Sequence, residues 1–253
     1  MREWWQELAG LVLPVDCAGC GAARVLVCAD CRDGLSGAGA GPVRPSPRPV
    51  GLPGVWACAG YDGAVRGLLL AHKERGALPL AGVLGAALAG AVLAAGAEGA
   101  GGTPGTDGGR GAGEVALVPV PSARRQTRAR GHDPTRRIAL AAAGRLRRAG
   151  VPARVAPVLR LRRAVADQAG LGARERRENL TGALAVRRRG ARLTYGAEIV
   201  LVDDVITTGA TLAEAARAVR AAGLATGAGA VLRAAVVAAP ADSFRRIERA
   251  PRV

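Results

Sequence analysis

The sequence predicts an α/β fold: a mostly parallel β-sheet with helices on both faces, preceded by a small four-cysteine module. Three observations carry this. Aliphatic strand-like runs alternate with helical patterns along most of the chain after residue 54. Residues 199–212, IVLVDDVITTGATL, read as a buried strand, a small-residue loop and the start of a helix. Near the N-terminus, two C-x₂-C pairs lie seven residues apart.

In chain order, Trp4, Trp5, Leu8 and Leu11 or Val12 have helical spacing, which suits a short amphipathic helix packed on its own domain rather than a membrane anchor. The first residues are mixed in charge and show no secretory pattern. Cys17, Cys20, Cys28 and Cys31 follow. Each pair turns two thiolates toward one point, and four thiolates make a closed tetrahedral site suited to structural Zn²⁺. Two disulfides are the alternative, although nothing else in the chain suggests an oxidising compartment. Cys58 sits in a strand-like run and reads as a buried core residue.

Residues 1–35 are therefore expected as an N-terminal helix with a Cys₄ module, and the Gly- and Pro-rich residues 36–53 as a linker. Residues 54–242 form the main domain, and residues 243–253 a basic tail. Within the main domain, strands are expected over 55–60, 115–120, 154–158, 198–202 and 229–237. Helices are expected over 64–72, 80–95, 134–149 and 211–222. Asp133 is a candidate N-cap with Pro134 at the first helical position; Gly150 and Gly223 mark helix ends. Residues 77–97 are uncharged and long enough to span a bilayer, but they are mostly Ala and Gly with Pro79 near the start. A buried core helix is the preferred reading, so no membrane span is expected. Residues 96–113 are low-complexity and expected to form a disordered surface loop.

Aromatic residues are only 2% of the chain, so the core must be built from Ala, Val and Leu. The same scarcity argues against a base-stacking nucleic-acid platform. Net charge is +16 and Lys73 is the sole lysine among 36 basic residues. The arginine skew, with abundant Ala and Gly, reads first as coding bias. Its physical effect is to favour polyanions, whether pyrophosphate or nucleic acid.

The chemistry concentrates at residues 199–212. Ligands of open α/β sheets bind beyond the carboxyl ends of the strands, where helix N-termini offer free N–H groups to phosphate. Thr207, Thr208, Gly209, Ala210 and Thr211 suit a phosphate, through backbone N–H groups and hydroxyls. Asp203 and Asp204 repel one; they are acceptors for the vicinal hydroxyls of a ribose. The ligand this implies is a ribose bearing a 5′-phosphate. A Walker B strand is excluded because no Gly-Lys-Ser/Thr loop exists, and no G-x-G-x-x-G follows an early strand.

Three further sets are weaker. Val118, Pro119, Val120 and Pro121 precede Ser122, Arg124, Arg125, Arg128 and Arg130. They read either as a pyrophosphate turn with a mobile basic loop or as a solvated loop. Lys73 reads either as a contact to a leaving pyrophosphate or as a helix-end lysine in water. Asp167 to Leu171 with Arg174, Arg176, Arg177 and Asn179 form a polar segment without a clear ligand.

Residues 199–212 resemble the PRPP-binding motif of type I phosphoribosyltransferases, PRPP being 5-phosphoribosyl 1-pyrophosphate. The wider order is also distinctive: four cysteines, YDGAVRGLLLAHK, LVPVPSARRQTRARGHDPTRRIA, DQAGLGARERRENLTGAL and VLVDDVITTGAT. It is similar to the ComF family, competence-associated phosphoribosyltransferase-like proteins with an N-terminal zinc finger. In that family the Arg-Gly pair is usually followed by Phe-Asn-Gln; here His132, Asp133 and Pro134 follow, and His132 reads as a loop histidine beside a helix cap. The aromatic usually found near Leu184 is absent. The resemblance implies a type I phosphoribosyltransferase-like domain and PRPP binding with Mg²⁺. It also implies transfer of the phosphoribosyl group to an acceptor with release of pyrophosphate, structural Zn²⁺, a cytoplasmic location and a link to DNA uptake. Two alternatives accompany it: a non-catalytic accessory that binds single-stranded DNA and the uptake machinery, and a purine or pyrimidine salvage enzyme. The oligomeric state stays open.

Overall fold

The structure is a computed structural model that describes residues 16–37, 39–99, 113–122, 127–128, 130–163, 179–188, 190–225 and 232–244. The expected N-terminal helix, Arg124, Arg125, the polar segment at 167–177, most of the low-complexity run and residues 245–253 lie outside these residues.

The helices are α1 (Ala29–Asp33), α2 (Gly63–Glu74), α3 (Ala81–Gly99), α4 (Pro134–Arg148), α5 (Gly190–Thr194) and α6 (Ala210–Ala221). The strands are β1 (Gly41–Val43), β2 (Gly54–Gly60), β3 (Val115–Pro119), β4 (Ala153–Val155), β5 (Leu159–Leu161), β6 (Leu184–Val186), β7 (Glu198–Val205) and β8 (Arg233–Ala239). Six strands form one sheet in the order β1-β2-β8-β7-β3-β4; β5 and β6 form a separate antiparallel hairpin. Every neighbour pair in the main sheet is parallel except β1 with β2.

β7 lies inside the sheet between β3 and β8, which explains its unbroken aliphatic run. Its alternation feeds two cores. Val200 and Val202 join Trp56, Cys58, Leu117 and Val237 against α2, α3 and α4. Ile199 and Leu201 join Val55, Val118 and Val236 against α6 and the hairpin. Helices thus cover both faces, as the sequence predicts.

The lack of aromatics is met by close backbone approach. A Cβ placed on Gly85 of α3 would lie 2.4 Å from the Ala141 Cβ of α4. Ala87, Ala91 and Ala95 are essentially fully buried on the same helix. The segment Leu78–Ala97 is long and apolar enough to cross a membrane by length and composition, and 56% of its window is buried within the fold.

The structure corrects several boundaries. The expected 36–53 linker contributes β1 to the sheet, and Val43 and Leu52 are buried. Pro42 is tolerated because β1 is an edge strand. The strand expected at 154–158 ends at Val155; Pro157 lacks an N–H, and the chain turns away into β5. The start of the tail is docked: Arg44 N–H donates to Ser243 O at 2.7 Å, and Val43 bridges Phe244. α3 runs to Gly99, into the residues expected as loop, because Ala-rich sequence propagates a helix until glycines accumulate.

Replacing Gly85 by Val is expected to force α3 and α4 apart and destabilise the protein by about 1–3 kcal/mol. Urea unfolding monitored by circular dichroism checks this; unchanged stability would refute the close-approach reading.

Candidate functional site

The site is built where β7 ends. Asp204 is 5% exposed, and its Oδ2 accepts from Lys73 Nζ at 2.7 Å. Lys73 comes from the last turn of α2. Burial alone would raise the Asp204 carboxyl, but the Lys73 ammonium holds it below its usual value. Burial likewise disfavours the ammonium, and Asp204 outweighs it, raising Lys73. Asp203 feels the same ammonium, but its carboxyl makes no direct pair with it and the attraction is outweighed. Its partial burial and the Asp204 charge push its carboxyl well above the usual range. Its Oδ1 accepts from Asp204 N–H at 2.9 Å and, at a longer 3.5 Å, from the Thr135 hydroxyl.

The loop that follows is shaped by Gly209, the N-cap of α6, at φ 75°. A side chain there would be strained, and a Cβ would stand 3.0 Å from Leu52 Cδ2 and 3.3 Å from Pro45 Cγ. The misread linker therefore buttresses this loop. Gly209 has no side chain to cap α6, which leaves first-turn N–H groups without an intrahelical partner beyond the end of β7. Thr208 Oγ1 accepts from Ala210 N–H at 3.5 Å. Thr207 and Thr211 flank this turn in sequence.

The Val118, Pro119, Val120 and Pro121 segment sits on the adjacent strand. Pro119 is in register with Val202, and Val120 N–H donates to Val202 O at 2.9 Å. The structure thus gathers Lys73, Asp203, Asp204, the Thr/Gly loop and the proline turn at one end of the sheet.

Sequence reasoning missed the groups that hold Lys73 in place. Glu74 accepts two hydrogen bonds from Arg130 Nη2, at 2.7 and 2.8 Å. The neighbouring His72 is 1% exposed; its ring nitrogens lie 3.3 Å from Ala77 O and 3.4 Å from Pro134 O, and burial lowers its pKa. The signal available was adjacency: His72 and Glu74 flank the only lysine. His132 lies at the cap as expected, with Nδ1 2.9 Å from Arg130 O and Asp133 accepting from Arg136 N–H at 3.1 Å.

The four cysteines converge: the Sγ atoms of Cys17, Cys20, Cys28 and Cys31 lie within 4.8 Å of one another. All are free thiols, not disulfides. Burial opposes ionisation of Cys17, yet backbone contacts from Cys20, Cys28 and Gly19 bring it down to about 6. Four convergent sulfurs are a donor set that could hold Zn²⁺ and leave no open position. Cys17 and Cys31 are buried in the same core as Leu68 and Leu69 of α2. Cys58 is 3% exposed, and burial raises its thiol.

A mostly parallel sheet ending in paired carboxylates and a Thr/Gly helix N-terminus defines a phosphoribosyltransferase-type domain beside a four-cysteine module. The family model for the phosphoribosyl transferase domain matches residues 153–250. That stretch runs from β4 through β8 and includes the whole 199–212 segment; Lys73 and the proline turn lie outside it. No curated protein matches the chain.

Two outcomes are expected. The purified protein should carry about one zinc per chain, and Cys20→Ser should abolish it, because Cys20 is exposed and its loss leaves the packing of the buried Cys17 and Cys31 intact. Elemental analysis reads this directly. For Asp203, the folded state holds its proton more tightly than the unfolded chain. Its contribution to stability therefore falls as pH rises from the ordinary carboxylate range through its raised value. Asp203→Asn should unfold at a higher temperature than wild type at pH 8, with the difference vanishing below about pH 4. A constant difference across pH would contradict the raised value.

Proposed function

We propose that this protein binds PRPP and is a phosphoribosyltransferase of the ComF type, with a cytoplasmic role linked to DNA uptake. The observation that carries the reading is the pairing of two carboxylates with a Thr/Gly helix N-terminus, inside the stretch similar to the phosphoribosyl transferase domain. Asp203 and Asp204 accept the ribose 2′- and 3′-hydroxyls. The backbone of Thr207, Thr208, Gly209, Ala210 and Thr211, with the threonine hydroxyls, holds the 5′-phosphate. The Val118–Pro121 backbone turn and Lys73 meet the pyrophosphate, and Lys73 is already drawn to the sugar side through Asp204.

Asp203 and Asp204 offer carboxylate oxygens that would hold Mg²⁺ together with oxygens of the donor, and the ion would there neutralise charge on the pyrophosphate and sugar oxygens. In the transfer, the bond from ribose C1 to pyrophosphate breaks and pyrophosphate leaves with the electron pair. A nucleophile on the acceptor then bonds to C1, losing its proton to solvent. The chain's own residues contribute position and charge in this scheme. Zn²⁺ held by the Cys₄ module would be structural, supplying a cross-link beside the core that Cys17 and Cys31 share with α2.

The single-stranded DNA reading draws on the net charge of +16 and on the ComF resemblance. Trp56 is 8% exposed, whereas Tyr195 is 86% exposed. Among the described residues Tyr195 is the only exposed aromatic, and one ring makes no stacking platform, so contact with DNA would be mainly electrostatic and its affinity would fall steeply with salt. A salvage enzyme would instead release pyrophosphate with one defined base.

The test is calorimetry of PRPP with Mg²⁺. The double variant Asp203→Asn, Asp204→Asn should lose affinity by about 100-fold while keeping its fold. Unchanged affinity in a folded variant overturns the assignment. Single-stranded DNA binding that ignores salt would remove the accessory reading.

A further inference from the structure

Against the proline turn, with Pro121 and Ser122 in its wall, lies a cavity of about 520 Å³ whose arginines have no part in the donor scheme above. Its walls include Arg128, Arg160 and Arg187, the hydroxyls of Ser122 and Thr127, and the carboxylate of Asp133. The carboxylate is engaged as the cap of α4, accepting from Arg136 N–H at 3.1 Å. None of the three arginines forms an ion pair among the described residues. Three guanidinium groups around one small cavity, with no carboxylate paired to them among the described residues, form a site for an anion.

Its position gives it a purpose. Two links set the cavity against the diol carboxylates. Val120, next to Pro121, is bonded to Val202, next to Asp203. Asp133 is two residues from Thr135, whose hydroxyl reaches Asp203 Oδ1. Arg160 and Arg187 come from elements that hold neither the Thr/Gly loop nor Lys73: Arg160 is on β5 and Arg187 directly follows β6. This hairpin is latched to α6. Glu214, 6% exposed, accepts from Leu184 N–H at 3.0 Å, and Arg217 Nη2 donates to Leu184 O at 3.0 Å while also pairing with Glu214. The helix that begins at the phosphate loop therefore also fixes the wall that presents Arg160 and Arg187.

Resting on the donor assignment of the preceding section, we infer that this cavity receives the phosphoribosyl acceptor, and that the acceptor is a small molecule bearing a carboxylate or a phosphate. The donor's 5′-phosphate has its site on the Thr/Gly loop, and its pyrophosphate meets Lys73 and the Val118–Pro121 backbone at the cavity's edge. The arginines are a third anion site, and the volume suits a ligand of metabolite size.

The experiment is a ligand-observed NMR titration of the full chain, with and without saturating PRPP and Mg²⁺. Two matched probe pairs are used: benzoate with benzamide, and phenyl phosphate with phenol. The same titrations are run on Arg160→Gln, Arg187→Gln, whose side chains are exposed and whose loss spares the fold. In wild type, at least one anion should bind about tenfold more tightly than its neutral partner. The pair that shows the preference tells a carboxylate acceptor from a phosphate one. The double variant should lose the preference while its PRPP affinity stays within about twofold of wild type. Equal binding of charged and neutral probes, no binding of either anion, or a preference that survives the double variant overturns the inference. So does a parallel loss of PRPP affinity, which would assign these arginines to the donor. Wild type that binds no PRPP removes the donor reading instead; the PRPP-free titration still judges the anion site.

Discussion

Much of this structure follows from burying two adjacent carboxylates at the end of an interior strand. Asp204 is 5% exposed, and an unpaired charge there would be driven to take up a proton. Lys73 prevents that, and its reach dictates where α2 must lie. α2 is then fixed from several sides. His72 spans carbonyls of Ala77 and Pro134, Glu74 grips Arg130, and Gly67 lets the knuckle backbone come close. A Cβ on Gly67 would fall 2.6 Å from Ala18 O. The four-cysteine module is thus continuous with the helix that neutralises the site. Lys73 is the chain's one departure from arginine, and it stands where a compact ammonium is required.

A core with so few aromatics has to gain its contacts by distance. Small residues let α3 and α4 approach until Gly85 meets Ala141. Dispersion falls off quickly with separation, so short backbone distances substitute for large side chains. The arrangement tolerates little enlargement, because the nearest neighbours at these crossings are backbone atoms or methyl groups rather than the ends of flexible side chains.

The fold class was legible because interior parallel strands are written as aliphatic runs, and β7 and β3 are clear examples. The caps at Asp133, Gly150 and Gly223 were legible because their local chemistry is strong. The hairpin was not, since β5 and β6 are three residues each and carry no readable period. β1 was hidden by its proline and glycine, which look like linker composition and are tolerated only at an edge. At the site, Asp203, Asp204 and the Thr/Gly loop could be read because they are contiguous. The Lys73–Asp204 pair joins residues 131 positions apart, and the Arg130–Glu74 pair 56 apart. Such pairings depend on topology and leave no local trace. Lys73 was singled out by its rarity, whereas Arg130 was read only as one of a basic loop, without its pairing to Glu74.

The sheet's outermost strands carry one more consequence. β1 and β4 have only three residues each, while the strands they cover run to seven and five. β1 is also held by the chain's end through Phe244, and the Arg154 side chain of β4 is anchored to Glu114 and to the Leu193 and Tyr195 carbonyls. A further strand would find little exposed backbone to template on at either side. For a chain rich in Ala, Val and Leu, whose interior strands would stack readily if bared, these blunt margins guard against edge-to-edge aggregation.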